Sequence, residues 1–545
     1  MQVEDRFVRF HWIDWAVVLT YLAALIVIGF YQSRKEKTVN EYFLAGRKMK
    51  WLPIGLSLMA ALTSAGDYLG QPSAMIQYGP MILAGVLSWL VLYPYVFYII
   101  LPFYRKMGIY TVYEYLEIRF DSKVRTLAAA IYLVWQILLL GVCLYVPCLA
   151  MVAATNQDDL LIPLILVLGV VATTYTALGG MKGVIWGGVM QSAILFTALA
   201  IQVGLLWWNV DGGLKTIAGN IHHVGIYNKP FPETTSFSDW IKEYFIVPYT
   251  VFGMFWLTML GRINTFTCNQ QIVQRFETAS SIKDARRSFM LMVLGDSVSI
   301  TLLSLMGIAY FAYYSVDGHL PEALVVNPDK VVPWFISDIF PIGLTGLIIA
   351  SLWAVGLSAF SGLLNSICTV AVVDFAVRIF PRIKVTDESS HDHQQFQVFL
   401  SRVLTFILGS VAIVIAANAM RMGKLIDIMM GLGGSFTGPI LGIFLFAIFV
   451  SRANSIGVFW GGLIGSVVGM YTMLWTAPGL YQDGGILSSM AFCFPDPGTH
   501  RTISKQWIGT LGLIGMAFPT LLISLLTSPE PGKSANTWWN LRKKD

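Results

Sequence analysis

The sequence is short of charge. Asp, Glu, Lys and Arg make up 12% of its 545 residues, about half the share carried by a soluble domain. The shortage runs along the whole length, which excludes a soluble domain held by a single anchor. Cysteine is scarce as well. Of the five, Cys143, Cys148, Cys268 and Cys368 fall in or at the ends of apolar runs, and Cys493 falls in a loop. That leaves no disulfide framework and no Cys-x-x-Cys metal or redox pair. The net charge of +5 is scattered over loops, so nucleic acid is not an expected partner. No loop joins a nucleophile to a base or gathers metal ligands, so neither an enzyme nor a bound cofactor is expected, and no obligatory protein partner is evident. No cleavable signal peptide is apparent, since residues 1–12 mix Glu4, Asp5, Arg6 and Arg9.

Long apolar runs fill the chain instead, with 56% hydrophobic residues and a mean hydropathy of +0.66. A helix needs about 20 apolar residues to cross a bilayer. Thirteen runs qualify: 13–32, 51–75, 79–104, 124–153, 160–177, 184–208, 240–268, 287–315, 332–378, 398–418, 421–450, 454–476 and 506–527. The fold class is all-α and polytopic, a multi-pass protein of the cell membrane with the bilayer as its partner. The run 332–378 is too long for one crossing and is expected to begin with a short exterior helix before Pro341. Basic residues set the orientation. Arg34, Lys35, Lys37, Arg47, Lys48 and Lys50 crowd residues 33–50, which places that loop and the C-terminal Arg542, Lys543 and Lys544 in the cytoplasm and the N-terminus outside. The longest loops, about 209–239 and 477–505, are then exterior.

Two spans carry interruptions. The stretch SLMAALTSAGDYLG (57–70) places small and polar residues and one acid, Asp67, inside the second span. The seventh is broken by GRINTFTCNQ (261–270). Paired discontinuous helices at corresponding positions of two inverted repeats mark secondary transporters, and here they open two five-span units, spans 2–6 and 7–11. Ala60, Thr63 and Asp67 share one helix face, as do Ser358, Ser361, Gly362 and Asn365 of the ninth span. A helix opening near Ala60 frees carbonyls, and carbonyls with hydroxyls suit a small hard cation such as sodium.

The stretches NEYFLAGRKM (40–49), YTALGGMKGVIW (175–186), NQQIVQRF (269–276) and SAFSGLLNS (358–366) occur in an order that resembles the sodium/solute symporter family, whose members include sodium/glucose, proline, iodide, monocarboxylate and multivitamin transporters. The resemblance runs from about residue 13 to 450. It implies a LeuT-type core of two inverted five-helix repeats, with one helix added before it, and a sodium site between spans two and nine. Carried over by motif, backbone carbonyls of Ala60, Thr63 and Val355 and the hydroxyl of Ser358 would ligate sodium. The second hydroxyl usual in the family is missing at Ala359, where Ser361 or Thr63 is the available substitute. Many members read Trp-Thr-Asp where this chain reads Trp186-Gly187-Gly188, and that acid is associated with cation coupling.

The implied substrate pocket departs from the sodium/galactose pattern. Asp67 stands where that pattern has Gln, Arg262 where it has Asn, Asp296 near its Lys, and Val86 near the position of its acid. With Thr265, these residues suit a charged or zwitterionic solute better than a simple sugar. GVCLYVPCLAM (141–151) is similar to the monocarboxylate and multivitamin branch. Each acid or base also has a structural reading: Asp67 as a helix N-cap, Arg262 snorkelling to headgroups, Asp296 as a buried hydrogen-bonded acid. If Asp67 is instead functional, Arg262 is its expected partner. The expected function is sodium-driven symport of a small charged organic solute by alternating access. A proton-coupled carrier of the same fold, a sugar or amino-acid symporter and a non-transporting sensor are the alternatives. The expected organisation is 1–50 for the first helix and basic loop, 51–208 and 209–450 for the two repeats, 451–527 for two added helices and 528–545 for a cytoplasmic tail.

Overall fold

The computed structural model describes residues 10–34, 38–155, 157–226, 236–238, 250–315, 319–379, 391–419, 425–476 and 505–542. Lys35, Lys37, most of the loop 477–505 with Cys493, and Lys543 and Lys544 lie outside the described residues. Among the described residues the chain is helical throughout, with no strand and a single isolated bridge between Met49 and Ala279.

The helices that carry the argument are α1 (Trp12–Ser33), α2 (Trp51–Leu62), α3 (Ala65–Tyr78), α4 (Ser122–Thr155), α5 (Leu161–Asn209), α6 (Val251–Thr267), α7 (Gln270–Glu277), α8 (Ile282–Tyr314), α9 (Leu344–Val370), α10 (His391–Ala419), α11 (Leu425–Phe449), α12 (Ser455–Thr476) and α13 (Ile508–Leu526). Nine apolar helical stretches are long enough to span among the described residues. Two of them are double. At 49 residues, α5 is far longer than one crossing requires, and Gly180 (φ 46°, ψ −146°) breaks it in two. The stretch Ala65–Met107 turns at Gly79 (φ 70°). With those divisions, and with α6 and α11 added, the described helices correspond in order to the thirteen expected runs. The expected short helix ahead of the ninth span is present as Val331–Ile339.

The breaks have local causes. α2 stops where Thr63 turns extended (φ −80°, ψ 129°), and Ser64 caps α3. α6 stops at Cys268, and Asn269 caps α7 by accepting from the Gln271 N–H at 2.9 Å. Between Gly79 and Ser88 the chain runs as a ten-residue 3-10 helix, long for a form normally confined to a few residues.

α9 is the central post. Its most apolar stretch is 89% buried, and α1, α4 and α5 pack around it. Glycines permit the closest approaches: a Cβ on Gly346 would lie 2.6 Å from the Asp14 Cα, and one on Gly29 would lie 2.8 Å from the Tyr175 Cα. Asp14, on the first helix, does more than pack. Its buried carboxylate accepts from the backbone N–H groups of Gly343 and Gly346, both at 2.8 Å, and from that of His11 at 2.9 Å. It therefore caps α9 from a different helix. At the other end of the same span Asp374 is buried. It accepts from the Arg125 Nε at 2.6 Å and from the Thr111 hydroxyl at 3.1 Å.

Asp14→Ala would leave those helix-end N–H groups without an acceptor in a dry site. It is expected to destabilise the protein by about 1–3 kcal/mol, read as a lowered midpoint of thermal unfolding in detergent. Asp14→Asn keeps a carbonyl acceptor and should lose less; equal losses would show that the cap is not what holds the first helix to α9.

Candidate functional site

The break after α2 is held by a reciprocal capping box. The Ser64 hydroxyl accepts from the Asp67 N–H at 3.0 Å, and the Asp67 carboxylate accepts from the Ser64 N–H at 2.8 Å. Asp67 thus performs the capping role, satisfying the donors at the start of α3. It is also half-buried and lines a cavity of about 350 Å³. Capping and cavity lining are combined in one residue.

Arg262 does not pair with Asp67. Its Nη2 donates to the Asp296 carboxylate at 2.6 Å, and its Nη1 donates to the Ser88 hydroxyl at 2.8 Å and to the Gly85 carbonyl at 3.1 Å. The guanidinium lies over the Trp89 ring, 4.2 Å from its centre. The Trp89 indole N–H donates to the same Asp296 oxygen at 2.9 Å. The expected Asp67–Arg262 partnership is replaced by an Arg262–Asp296 pair, and snorkelling to headgroups is ruled out by these inward contacts. The reason is the 3-10 segment. It is pressed against α6, since a Cβ on Gly85 would lie 2.7 Å from the Thr258 hydroxyl. That proximity brings its carbonyls and Trp89 within reach of Arg262, while Asp296 comes from α8 on the far side.

Asp67, Arg262, Thr265 and Asp296 all line the one cavity, with Thr63, Gln71, Trp89, Thr258 and Ser299 among its other walls. Thr265 donates back to the Gly261 carbonyl at 2.9 Å, so its hydroxyl oxygen is left to accept. Sequence reading missed Ser88, Trp89 and Gln71. The Gly79-Pro80 pair and Gly85 were the available signals that this segment is not an ordinary helix.

The residues of the expected cation site lie on α2, at the break that ends it and on α9, and the two helices pack together. Ala60, Thr63, Val355, Ser358 and Ser361 are all buried. The Ser358 Oγ has no hydrogen-bond partner, an unusual state for a buried hydroxyl. Ser361 donates to the Ser358 carbonyl at 3.2 Å and Thr63 to the Met59 carbonyl at 3.2 Å, so both candidate substitutes for the missing hydroxyl spend their protons on their own helices and keep oxygen lone pairs. At Gly188, where many relatives have an acid, a Cβ would lie 2.5 Å from the Ser57 Oγ. The tight packing of α2 on α5 leaves that position without room for a side chain.

Interrupted helices, a polar cavity beside them and a buried oxygen-lined face define a membrane secondary transporter. Residues 42–465 match the sodium:solute symporter family, and the chain belongs to it. It is 27% identical over 469 residues to the sodium/sialic acid symporter NanT of Aliivibrio fischeri, covering 85% of this chain and 87% of that protein. It is 27% identical over 563 residues to human sodium-coupled monocarboxylate transporter 2, covering 98% of this chain and 86% of the relative. A solved sodium-coupled sialic acid symporter, substrate-bound and outward-open, superposes with a TM-score of 0.76 over 96% of this chain and 99% of that one, at 24% identity. The fold is thereby the LeuT-type fold. The protein is a multi-pass membrane transporter coupled to sodium, and not an enzyme.

The Arg262–Asp296 pair is expected to show strong coupling. Arg262→Gln or Asp296→Asn alone leaves a nearly buried charge unpaired, at about 3–5 kcal/mol. The double variant should lose far less than the sum of the two. Thermal unfolding of the four proteins tests this, and additivity within about 0.5 kcal/mol would dissolve the pair.

Proposed function

We propose that the protein imports a small carboxylate-bearing organic solute together with sodium, by alternating access. The observation that carries the substrate class is that Arg262 is the cation among the residues lining the cavity, held in place by Asp296, Ser88, Gly85 and Trp89. A carboxylate entering the cavity would share that guanidinium, since Arg presents five donors and those directed at Gly85 and Ser88 are the weaker attachments. Asp67, capped on one oxygen, would take the ammonium or hydroxyl groups of a zwitterion or hydroxy acid. Thr265 would supply a neutral acceptor. The likeness to sialic acid and monocarboxylate symporters supports an acid over a plain sugar.

Sodium would bind between α2 and α9, on the carbonyls of Ala60, Thr63 and Val355 and the hydroxyl of Ser358, with Ser361 adjacent. Its partnerless Oγ supports Ser358 in this role. Residues 51–208 and 209–450 would act as the two inverted repeats, one bundle rocking against the other. The N-terminus would face outward and the C-terminus the cytoplasm, an arrangement supported by the basic residues of 33–50. Downhill sodium entry supplies about 2.3 kcal/mol per charge for each 100 mV, before its concentration gradient.

In proteoliposomes with a sodium gradient, uptake of a labelled monocarboxylate, sialic acid or amino acid should be blocked by competing free acids and not by their methyl esters. A transporter that accepts a neutral hexose and ignores every acid would reverse the substrate assignment. Ser358→Ala should raise the sodium concentration for half-maximal uptake several-fold, and Ala359→Ser should lower it. Sodium dependence that neither change moves would place the cation elsewhere.

A further inference from the structure

Arg275 lies on α7, the short helix that continues the seventh span beyond its break. Its side chain is fully buried. The Nη1 donates to the Gln271 carbonyl of its own helix at 3.3 Å, while Nε and Nη2 have no hydrogen-bond partner. Among the described residues no carboxylate comes within ion-pair distance of it. The phenols of Tyr132 and Tyr175 are its titratable neighbours, and both are neutral. An isolated guanidinium in a dry interior is costly, and burial without a counter-charge calls for a reason.

Its position supplies one. The guanidinium is laid against Gly362 of α9: a Cβ there would lie 2.3 Å from Nη2 and 2.8 Å from the Gln271 Nε2. The Gln271 amide in turn donates to the Ala359 carbonyl at 3.3 Å. Gly362 is one helical turn beyond Ser358, about 6 Å along the axis and on the same face. The fixed positive charge therefore stands one turn from the buried, partnerless hydroxyl assigned to sodium, and only a residue without a side chain at 362 lets it come so close.

We propose that Arg275 sets the sodium affinity by repulsion, holding the α2–α9 site weak enough for the ion to leave on the cytoplasmic side. This rests on the sodium reading of Ser358. A conducting or transporting site must bind well enough to load and weakly enough to release. The site's expected ligands are neutral oxygens, with no carboxylate to offset the guanidinium. At roughly 6–8 Å and an effective dielectric near 20, a like charge weakens binding by tenfold or more. Burial shields the effect from added salt.

The sign of the effect separates this role from a merely structural one. Damage to packing weakens sodium binding, whereas removal of a repelling charge strengthens it. In purified protein, sodium titrated against the thermal unfolding midpoint reads binding without transport. Arg275→Gln should lower the half-saturating sodium concentration about tenfold, and Arg275→Lys, which keeps the charge, should leave it near the parent value. Should Arg275→Gln fail to accumulate, Gly362→Ala keeps the charge but pushes it away, and should lower the constant by a smaller factor. Ser358→Ala serves as the reference and should raise it. If Ser358→Ala raises the constant while Arg275→Gln, or Gly362→Ala in its place, leaves it unchanged or raises it, the repulsion is overturned and the sodium site stands. If Ser358→Ala has no effect, the site reading fails and the role of Arg275 fails with it.

Discussion

A polypeptide at membrane depth has no lipid partner for its backbone, so each peptide group released by a broken helix must be satisfied by the protein or at a water-filled cavity. The site depends on how this chain meets that demand. Ser64 and Asp67 satisfy each other's N–H groups at the start of α3. Asn269 does the same for α7. The 3-10 segment Gly79–Ser88 leaves the Gly85 carbonyl in reach of two donors, the Ser88 hydroxyl and Arg262. Of these groups, Asp67, Gly85 and Arg262 also line the cavity. Structural and functional readings of Asp67 were posed as rivals, but a carboxylate has two oxygens and the break needs only one acceptor for the Ser64 N–H.

The same demand explains Asp14. A long central helix such as α9 begins with unpaired N–H groups, and its own preceding residues, Pro341, Ile342 and Gly343, offer no side-chain acceptor. The first helix lends one. The extra helix ahead of the core is therefore tied into the fold by a charge at a helix terminus as well as by the glycine contacts at Gly29 and Gly346.

Much of this was legible in the sequence. Hydropathy gives the passes because a membrane helix has to be apolar for about 20 residues, and the two broken spans betray themselves through polar residues where none should be tolerated. The short helix before Pro341 follows from length alone. The partner of Arg262 was not legible, because it depends on which of several carboxylates a three-dimensional crossing brings near. Asp296 is 34 residues from Arg262 in sequence and reaches it only because α8 returns alongside the third span. Nor was Trp89 legible: an indole in an apolar run reads as lipid-facing or packed, whereas here its N–H meets Asp296 from a different helix.

The cavity departs from the sodium/galactose pattern described above: Val86 is apolar, position 296 carries an acid, and the cation is Arg262 on α6. Arg262 and Asp296 neutralise each other, so the cavity buries no unbalanced charge there. The guanidinium comes from the interrupted span that also carries Thr265, and it shares the cavity with Asp67. With one carboxylate already committed to Arg262 and the other to Ser64, the cavity holds its charges in place before any solute arrives. Recognition then turns on exchanging one set of charge-assisted hydrogen bonds for another, which favours a solute bringing its own carboxylate over one bringing hydroxyls alone.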